Sequence, residues 1–281
     1  VGFSEEREVM GSIIPYIGGK SFQAPWIISH FPPGYEGMGY LEPFAGSLAV
    51  FFAKRPSRVE VINDLDEDVY TLWTILQKEG ERLATEAAKL PYSRKLYEEW
   101  AREWWQERKR PEDPFERALR FFFLMRSNRS GNLRYAGWCS GIEVNHASAY
   151  RSAIKEIEYA QRRLENVQIE CRDFREVIER YDSENCVMYI DPPYLSVNHY
   201  NVKFSKQDHE DLAELLNKAK AKVLLSYYFS PRLREMYPED KWIFFRRTFT
   251  KKAPNDPNDR GNGNEVLITN FYPTQIELPL A

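Results

Sequence analysis

Residues 186–194 read CVMYIDPPY, five largely apolar residues followed by an acid, two prolines and a tyrosine. The apolar run reads as a buried strand, and the two prolines end it because proline has no N–H to give a strand ladder. Four further runs have the same build: GYLEPFAG (39–46), RVEVINDLD (58–66), VQIECRDF (167–174) and KVLLSYYFS (222–230). Helix-compatible stretches follow several of them, at Ser47–Ala53, Asp66–Leu76 and Ser205–Ala221. This alternation predicts a parallel sheet with helices on its faces. Ser205 and Asp208 offer an N-cap and an acidic first turn to the last helix. Further on, KWIFFRRTF (241–249) and NEVLITNF (264–271) flank the turn-rich KKAPNDPNDRGNGN (251–264). That pattern predicts two antiparallel strands joined by a long loop, so the sheet is mixed.

In open sheets of this kind, ligands bind beyond the carboxyl ends of the strands. Acids stand at or near those ends: Glu42, Asp64, Asp66, Asp173 and Asp191. An acid after the second strand suits the hydroxyls of a ribose, and Gly46 after the first lets backbone approach a ligand. The chain has no G-x-x-x-x-G-K-[ST], and F-A-G-S-L lacks the last glycine of a dinucleotide fingerprint, so a nucleoside without phosphates fits better than a pyrophosphate. In Asp191-Pro192-Pro193-Tyr194 the carboxylate and the Pro192 carbonyl are two hydrogen-bond acceptors beside an aromatic ring. Two acceptors and a ring match an exocyclic amino group on a planar base.

The chain has 281 residues, 43% of them hydrophobic, which suits one α/β domain with an insertion. No apolar run approaches the roughly 20 residues of a membrane helix, so no membrane partner is expected. Cys139, Cys171 and Cys186 are widely spaced, which disfavours a disulfide framework or a cysteine-built zinc site. The opening VGFSEEREVM lacks the basic start and apolar stretch of a signal peptide, so a cytoplasmic address is expected. Between about Gln77 and Arg163 the alternation gives way to a helical, tryptophan-rich region. There Tyr97, Trp100, Trp104 and Trp105 recur at helical spacing, as a core stripe does. From Arg117 to Ile142 the chain holds five arginines and no acid. Arginine mixed with aromatic and small polar residues reads as a phosphate-tracking surface, or as a core helix whose arginines reach solvent.

Taken in order, these motifs resemble the Dam-like (D12 class) DNA adenine-N6 methyltransferases, which take a methyl group from S-adenosylmethionine. Tyr16-Ile17-Gly18-Gly19-Lys20 is similar to the family's N-terminal cofactor segment, and Glu42-Pro43-Phe44-Ala45-Gly46 to its first-strand motif. Asn63-Asp64 and Asp173-Phe174 are similar to its second and third acids, Asp191 to Tyr194 to its catalytic motif, and Glu265 to Phe271 to its final strand. The resemblance implies a Rossmann-like class I methyltransferase fold, α/β with a mixed sheet and helices on both faces. Residues 1–76 and 164–281 would form the catalytic domain, and 77–163 an inserted, mainly helical target-recognition domain.

It further implies cofactor contacts from Tyr16, Gly18, Gly19, Lys20, Glu42, Phe44, Ala45, Gly46, Asp64, Asp173, Phe174 and Asp191, with catalysis by Asp191, Pro192, Pro193 and Tyr194. The substrate would be double-stranded DNA with its adenine flipped out and stacked on Tyr194, the enzyme a monomer, and no metal is called for. Arg117, Arg120, Arg126, Asn128, Arg129, Asn132, Arg134 and Tyr135 are the DNA-binding candidates, and His199 and Tyr200 candidates for the adenine pocket. The chain departs from the family's F-x-G-x-G at Leu48. A leucine there is expected to refuse the positive φ open to glycine, weakening the cofactor turn while still starting the next helix. The acceptor pair of Asp191 and Pro192 serves any exocyclic amine, so cytosine N4 or an RNA base stands as an alternative. So does a non-catalytic DNA-binding protein that kept the fold.

Overall fold

The computed structural model describes residues 12–16, 18–129, 137–194, 203–250 and 262–273, with backbone alone at 248–250 and 262–264. Asn132, Arg134, Tyr135, His199 and Tyr200 lie outside the described residues. All five expected parallel-type runs are strands: β1 (Gly39–Glu42), β2 (Val59–Asn63), β3 (Val167–Glu170), β4 (Cys186–Ile190) and β5 (Lys222–Tyr228). β6 (Ile243–Thr250) and β7 (Asn262–Thr269) complete a seven-stranded sheet of order β3-β2-β1-β4-β5-β7-β6. β1 pairs in parallel with β2 and β4, and β4 with β5, whereas β7 runs antiparallel to both β5 and β6. This is the mixed Rossmann-like sheet. Every residue of β4 is buried, which is why its sequence is a continuous apolar run without alternation. Chain order reverses between β1 and β4, the switch point at which such sheets bind ligands.

The helices are α1 (Ala24–Ile28), α2 (Ala49–Ala53), α3 (Glu67–Lys89), α4 (Arg94–Ala101), α5 (Pro114–Ser127), α6 (His146–Lys155), α7 (Ile157–Leu164), α8 (Phe174–Tyr181), α9 (Lys206–Lys218) and α10 (Pro231–Met236). Contacts divide the chain into two units. One, residues 26–45, 56–65 and 170–281, holds most of the sheet with α8 to α10. The other, residues 1–25, 46–55 and 66–169, holds α2 to α7. α3 runs unbroken through the expected boundary at 76/77, with its kink at Glu79, so residues 66–76 group with the helices that follow them.

The sheet unit has its core in Leu41, Val61, Met188, Ile190, Val223, Leu225, Val266 and Ile268, covered by Val177, Leu212 and Leu216 from α8 and α9. Ser205 and Asp208 form a reciprocal capping box at the start of α9, as their spacing predicts. One turn later His209 is 1% exposed, bonded through Nδ1 to the Tyr227 hydroxyl. In the helical unit, Tyr97, Trp100 and Trp104 are buried core residues, and the run Phe121–Met125 of α5 is buried throughout.

Leu48 corrects an expectation. It adopts the left-handed conformation itself, with φ 54° and ψ 31°, as the N-cap of α2, and it is 0% exposed. A left-handed leucine costs about 1–2 kcal/mol of strain, whereas a fully buried leucine side chain is worth about 2–5 kcal/mol relative to a truncated one. Burial wins, and the turn keeps its shape without the glycine.

Two tests follow from these balances. Leu48→Gly loses more packing than it relieves in strain and is expected to lower unfolding free energy by about 2 kcal/mol in denaturant titration; a more stable variant would mean that strain dominates. Burial lowers the pKa of His209 to about 4, below the ordinary 6.5. Between those values the unfolded chain takes up a proton that the folded chain refuses. Stability should therefore be full above about pH 6.5 and fall by up to about 1.4 kcal/mol per pH unit down to about pH 4. His30, likewise lowered by burial, acts in the same direction, so His209→Gln should flatten that slope in part.

Candidate active site

The sheet unit gathers four of the expected acids, each at or just past the end of a strand. Glu42 ends β1, is 3% exposed, and accepts a 2.6 Å hydrogen bond from the Tyr40 hydroxyl. Burial, reinforced by the Glu42 charge, holds the Tyr40 pKa well above the usual phenol value, so this proton stays available to the carboxylate. Asp64 is half-buried after β2, with its backbone N–H on the Glu170 carbonyl at 3.3 Å. Between them Asn63, nearly fully buried, braces the loops: its Nδ2 donates to the carbonyls of Pro43 (2.9 Å) and Arg172 (3.0 Å), while its Oδ1 accepts from the Arg172 N–H (2.9 Å).

Asp173 has a task of its own as the N-cap of α8, accepting from the Arg175 N–H at 2.9 Å. The Arg175 guanidinium bonds Asp173 at 3.0 Å and reaches Asp208 and Asp211 of α9 as well. Phe174 is buried, and its ring lies 5.6 Å from Phe44 and 5.4 Å from Phe204, an aromatic cluster at the strand ends. Phe204 was not among the expected site residues; it sits just after the undescribed segment 195–202, where no motif marks it.

Asp191 follows Ile190, the last residue of β4, and is half-buried, whereas Pro192 is buried. The Tyr194 hydroxyl lies 3.0 Å from Asp191 Oδ1 and 2.8 Å from Oε1 of Glu265 on β7. The Tyr194 ring packs 5.5 Å from Tyr227 and edge-on to Tyr228 at 4.6 Å, and the residue is 6% exposed. The ring is therefore packed away rather than displayed for stacking, because its hydroxyl is drawn inward by two carboxyl groups. Glu265 escaped notice as a site residue; its signal was an acid at the head of the apolar run VLIT.

In the helical unit the glycine motifs fold onto one another. Gly19 N–H donates to the Tyr16 carbonyl at 2.9 Å, and a Cβ on Gly19 would stand 3.0 Å from that oxygen. Gly46 has φ 44°, and a Cβ there would stand 3.1 Å from the Tyr16 ring. Trp73 Nε1 donates to the Gly46 carbonyl at 3.1 Å. Lys20 is 4% exposed and donates to the Gly18 carbonyl at 2.7 Å, so it braces this segment instead of reaching outward.

Three of the expected DNA-binding arginines are engaged inside the helical unit. Arg117 and Arg110 clasp the buried Asp68, at 2.6 and 2.8 Å. Arg120 pairs with Glu103 (2.8 Å) and Glu116 (2.6 Å) above the Trp100 ring. Arg126 is half-buried, donates to the Ala149 carbonyl at 3.2 Å, and has its pKa lowered by burial. Their partners lie outside the acid-free window of 117–142, so the window's charge concealed the pairing. Asn128 is buried at the C-cap of α5 and bridges Trp138 through its backbone, while Arg129 is exposed.

The donor set fits S-adenosylmethionine. Carboxylates at the strand ends suit a ligand that carries hydroxyls, an ammonium and a sulfonium, whereas a phosphate would require N–H groups and cations there. Among the described residues no group of His, Cys, Asp and Glu could hold a metal ion, and no helix is long and apolar enough to cross a membrane.

Known proteins are similar to this chain in sequence. Over 275 residues the chain is 29% identical to the DNA N-6-adenine-methyltransferase of Escherichia phage P1, covering 91% of this chain but 35% of that protein. The chain thus spans about a third of that relative's length. It is 25% identical to the Type II methyltransferase M.CviBI of Paramecium bursaria Chlorella virus NC1A, covering 93% of this chain and 100% of that one. It is 24% identical to the DNA adenine methylase of Escherichia coli K12, covering 82% and 85%. Residues 16–250 match the model of one family over most of the chain, and the chain belongs to it: the D12 class N6 adenine-specific DNA methyltransferases.

Proposed function

We propose that this protein transfers the methyl group of S-adenosylmethionine to N6 of an adenine flipped out of double-stranded DNA, acting as a cytoplasmic monomer. The observation that carries the reading is the Asp191 carboxylate at the end of β4, tied through Oδ1 to Tyr194 and followed by the buried Pro192. Adenine N6 is a poor nucleophile because its lone pair is delocalised into the ring. Asp191 accepts one N6–H and the Pro192 carbonyl accepts the other, which favours a pyramidal nitrogen with a localised lone pair. The same two acceptors stabilise the positive charge that develops on N6. Pro193 keeps the turn rigid, and Tyr194 holds the carboxylate in place. When bound, the cofactor supplies an electrophilic sulfonium methyl. Afterwards the N6 proton passes to Asp191 or to water.

Tyr16, Gly18, Gly19, Lys20 and Gly46 of the helical unit are proposed as cofactor contacts, and so are Glu42, Phe44, Ala45, Asp64, Asp173, Phe174 and Asp191 of the sheet unit. Glu42 and Asp64 suit its ammonium and hydroxyl groups. N6 is buried inside a duplex, so the base must leave the stack. Residues 77–163 are proposed to recognise the target, with Arg129 and the segment of Asn132, Arg134 and Tyr135 meeting the DNA. Arg117, Arg120 and Arg126 support the helices beneath. The Type II name of a full-length relative favours a restriction-modification setting.

Labelled S-adenosylmethionine incubated with unmethylated duplex DNA, followed by nucleoside digestion, should place label in N6-methyladenine. Asp191→Ala should lower that transfer at least about 100-fold. Label in N4-methylcytosine, or in RNA alone, would overturn the reading. The DNA surface has its own test. Arg129→Ala should weaken binding and reduce the salt slope of log K by about 0.9, the share of one phosphate contact. Arg117→Ala should leave that slope unchanged and instead lower stability by about 2–3 kcal/mol, because it uncovers part of the Asp68 charge.

A further inference from the structure

Glu265 is the acid that this mechanism leaves unused. It faces Tyr228 across the β5–β7 ladder and is 3% exposed. Its Oε1 lies 2.8 Å from the Tyr194 hydroxyl, the same hydroxyl that lies 3.0 Å from Asp191 Oδ1. Burial, together with the Asp191 and Glu265 charges, holds the Tyr194 pKa well above the usual phenol value, so the phenol keeps the proton with which it bonds them. One hydroxyl thus links Glu265 on β7 to the carboxylate at the end of β4.

We propose that Glu265 is a positioning residue for methyl transfer. Acting through the Tyr194 hydroxyl, it holds that hydroxyl against Asp191 Oδ1 and so fixes how the Asp191 carboxylate faces the adenine amine. The inference rests on the functional reading above. Tyr194 is the donor toward both acids, Asp191 Oδ1 and Glu265 Oε1. Tyr189 of β4 and Tyr227 of β5 also bear on this group, with Glu42 of β1 acting on Tyr189, and burial holds both phenols well above the usual value.

The test has two arms on the full chain. In the protein alone, the carboxyl 13C resonance of Asp191 is followed against pH in wild type, Glu265→Gln and Tyr194→Phe. Each variant removes a group held against Asp191, directly or through Tyr194, so the midpoint of the Asp191 curve should move by more than about 0.5 pH unit in both. Three superimposable curves would overturn the proposal. In steady-state methylation, Glu265→Ala should lower kcat about 10- to 100-fold, with KM for cofactor and DNA within about twofold. Glu265→Gln, whose Oε1 can still accept from the Tyr194 hydroxyl, should restore kcat to within about threefold of wild type. Adding Glu265→Ala to Tyr194→Phe should cost nothing further. Losses that multiply, or that appear in KM alone, would mean a structural role and sink the inference. A wild type that methylates nothing, while Asp191 still titrates differently in the variants, would refute the functional reading and leave the coupling standing.

Discussion

The pairing of β4 between β1 and β5 is the constraint on which the site depends. The register Leu41↔Met188 and Ile190↔Leu225 places the end of β4 beside the end of β1, while β5 runs on past it to Tyr228. Pro192 and Pro193 cannot extend the ladder, so the chain leaves the sheet at Asp191 and nowhere later. A strand buried along its whole length has no freedom to slip, because one residue of slippage would exchange its two faces. Asp191 is therefore fixed by the hydrogen bonds of five buried residues behind it. On the other side of β1, Asn63 ties the loops after β1 and β3 with three hydrogen bonds from one amide side chain.

What the sequence made legible were features set by local pattern. Seven strands, the Ser205–Asp208 cap and the tryptophan core of the helices follow from periodicity, capping chemistry and turn residues, all of which act over a few positions. What it concealed were features set by distant partners. Arg117 and Arg120 look like an exposed basic surface until Glu67, Asp68 and Glu103, 17 to 50 residues away in the chain, are brought against them. Tyr194 reads as a stacking ring until Glu265, 71 residues on, is found at its hydroxyl. At Leu48 the preference of one backbone was outweighed by burial of its side chain, a term that no dihedral rule contains.

The helical unit shows why an arginine-rich helix is compatible with a folded interior. Asp68 is almost fully buried, and an unpaired carboxylate there would be costly by several kcal/mol. Two guanidiniums, from Arg110 and Arg117, compensate it, and Arg110 also lies 4.1 Å from the centre of the Trp104 ring. Arginine serves here because its planar fork bonds a carboxylate while its face rests on an aromatic ring, which a lysine cannot do. The charges that suggested a nucleic-acid surface are in large part the internal fastenings of that unit.

The sheet unit also keeps acids in a partly dry place. Its solution is the phenol. Tyr40 donates to Glu42, Tyr194 lies between Asp191 and Glu265, and Tyr189 meets Ser226 at 3.2 Å. A neutral O–H satisfies one lone pair of a carboxylate without cancelling its charge, so Glu42 and Asp191 keep a net attraction for any cation or amine brought to the strand ends. An arginine in the same position would neutralise it. Methyl transfer from a sulfonium to an amine begins and ends with positive charge and passes it to N6 midway. On the proposed mechanism, acids tethered by phenols stabilise charge at every stage, and do so most strongly where water is excluded.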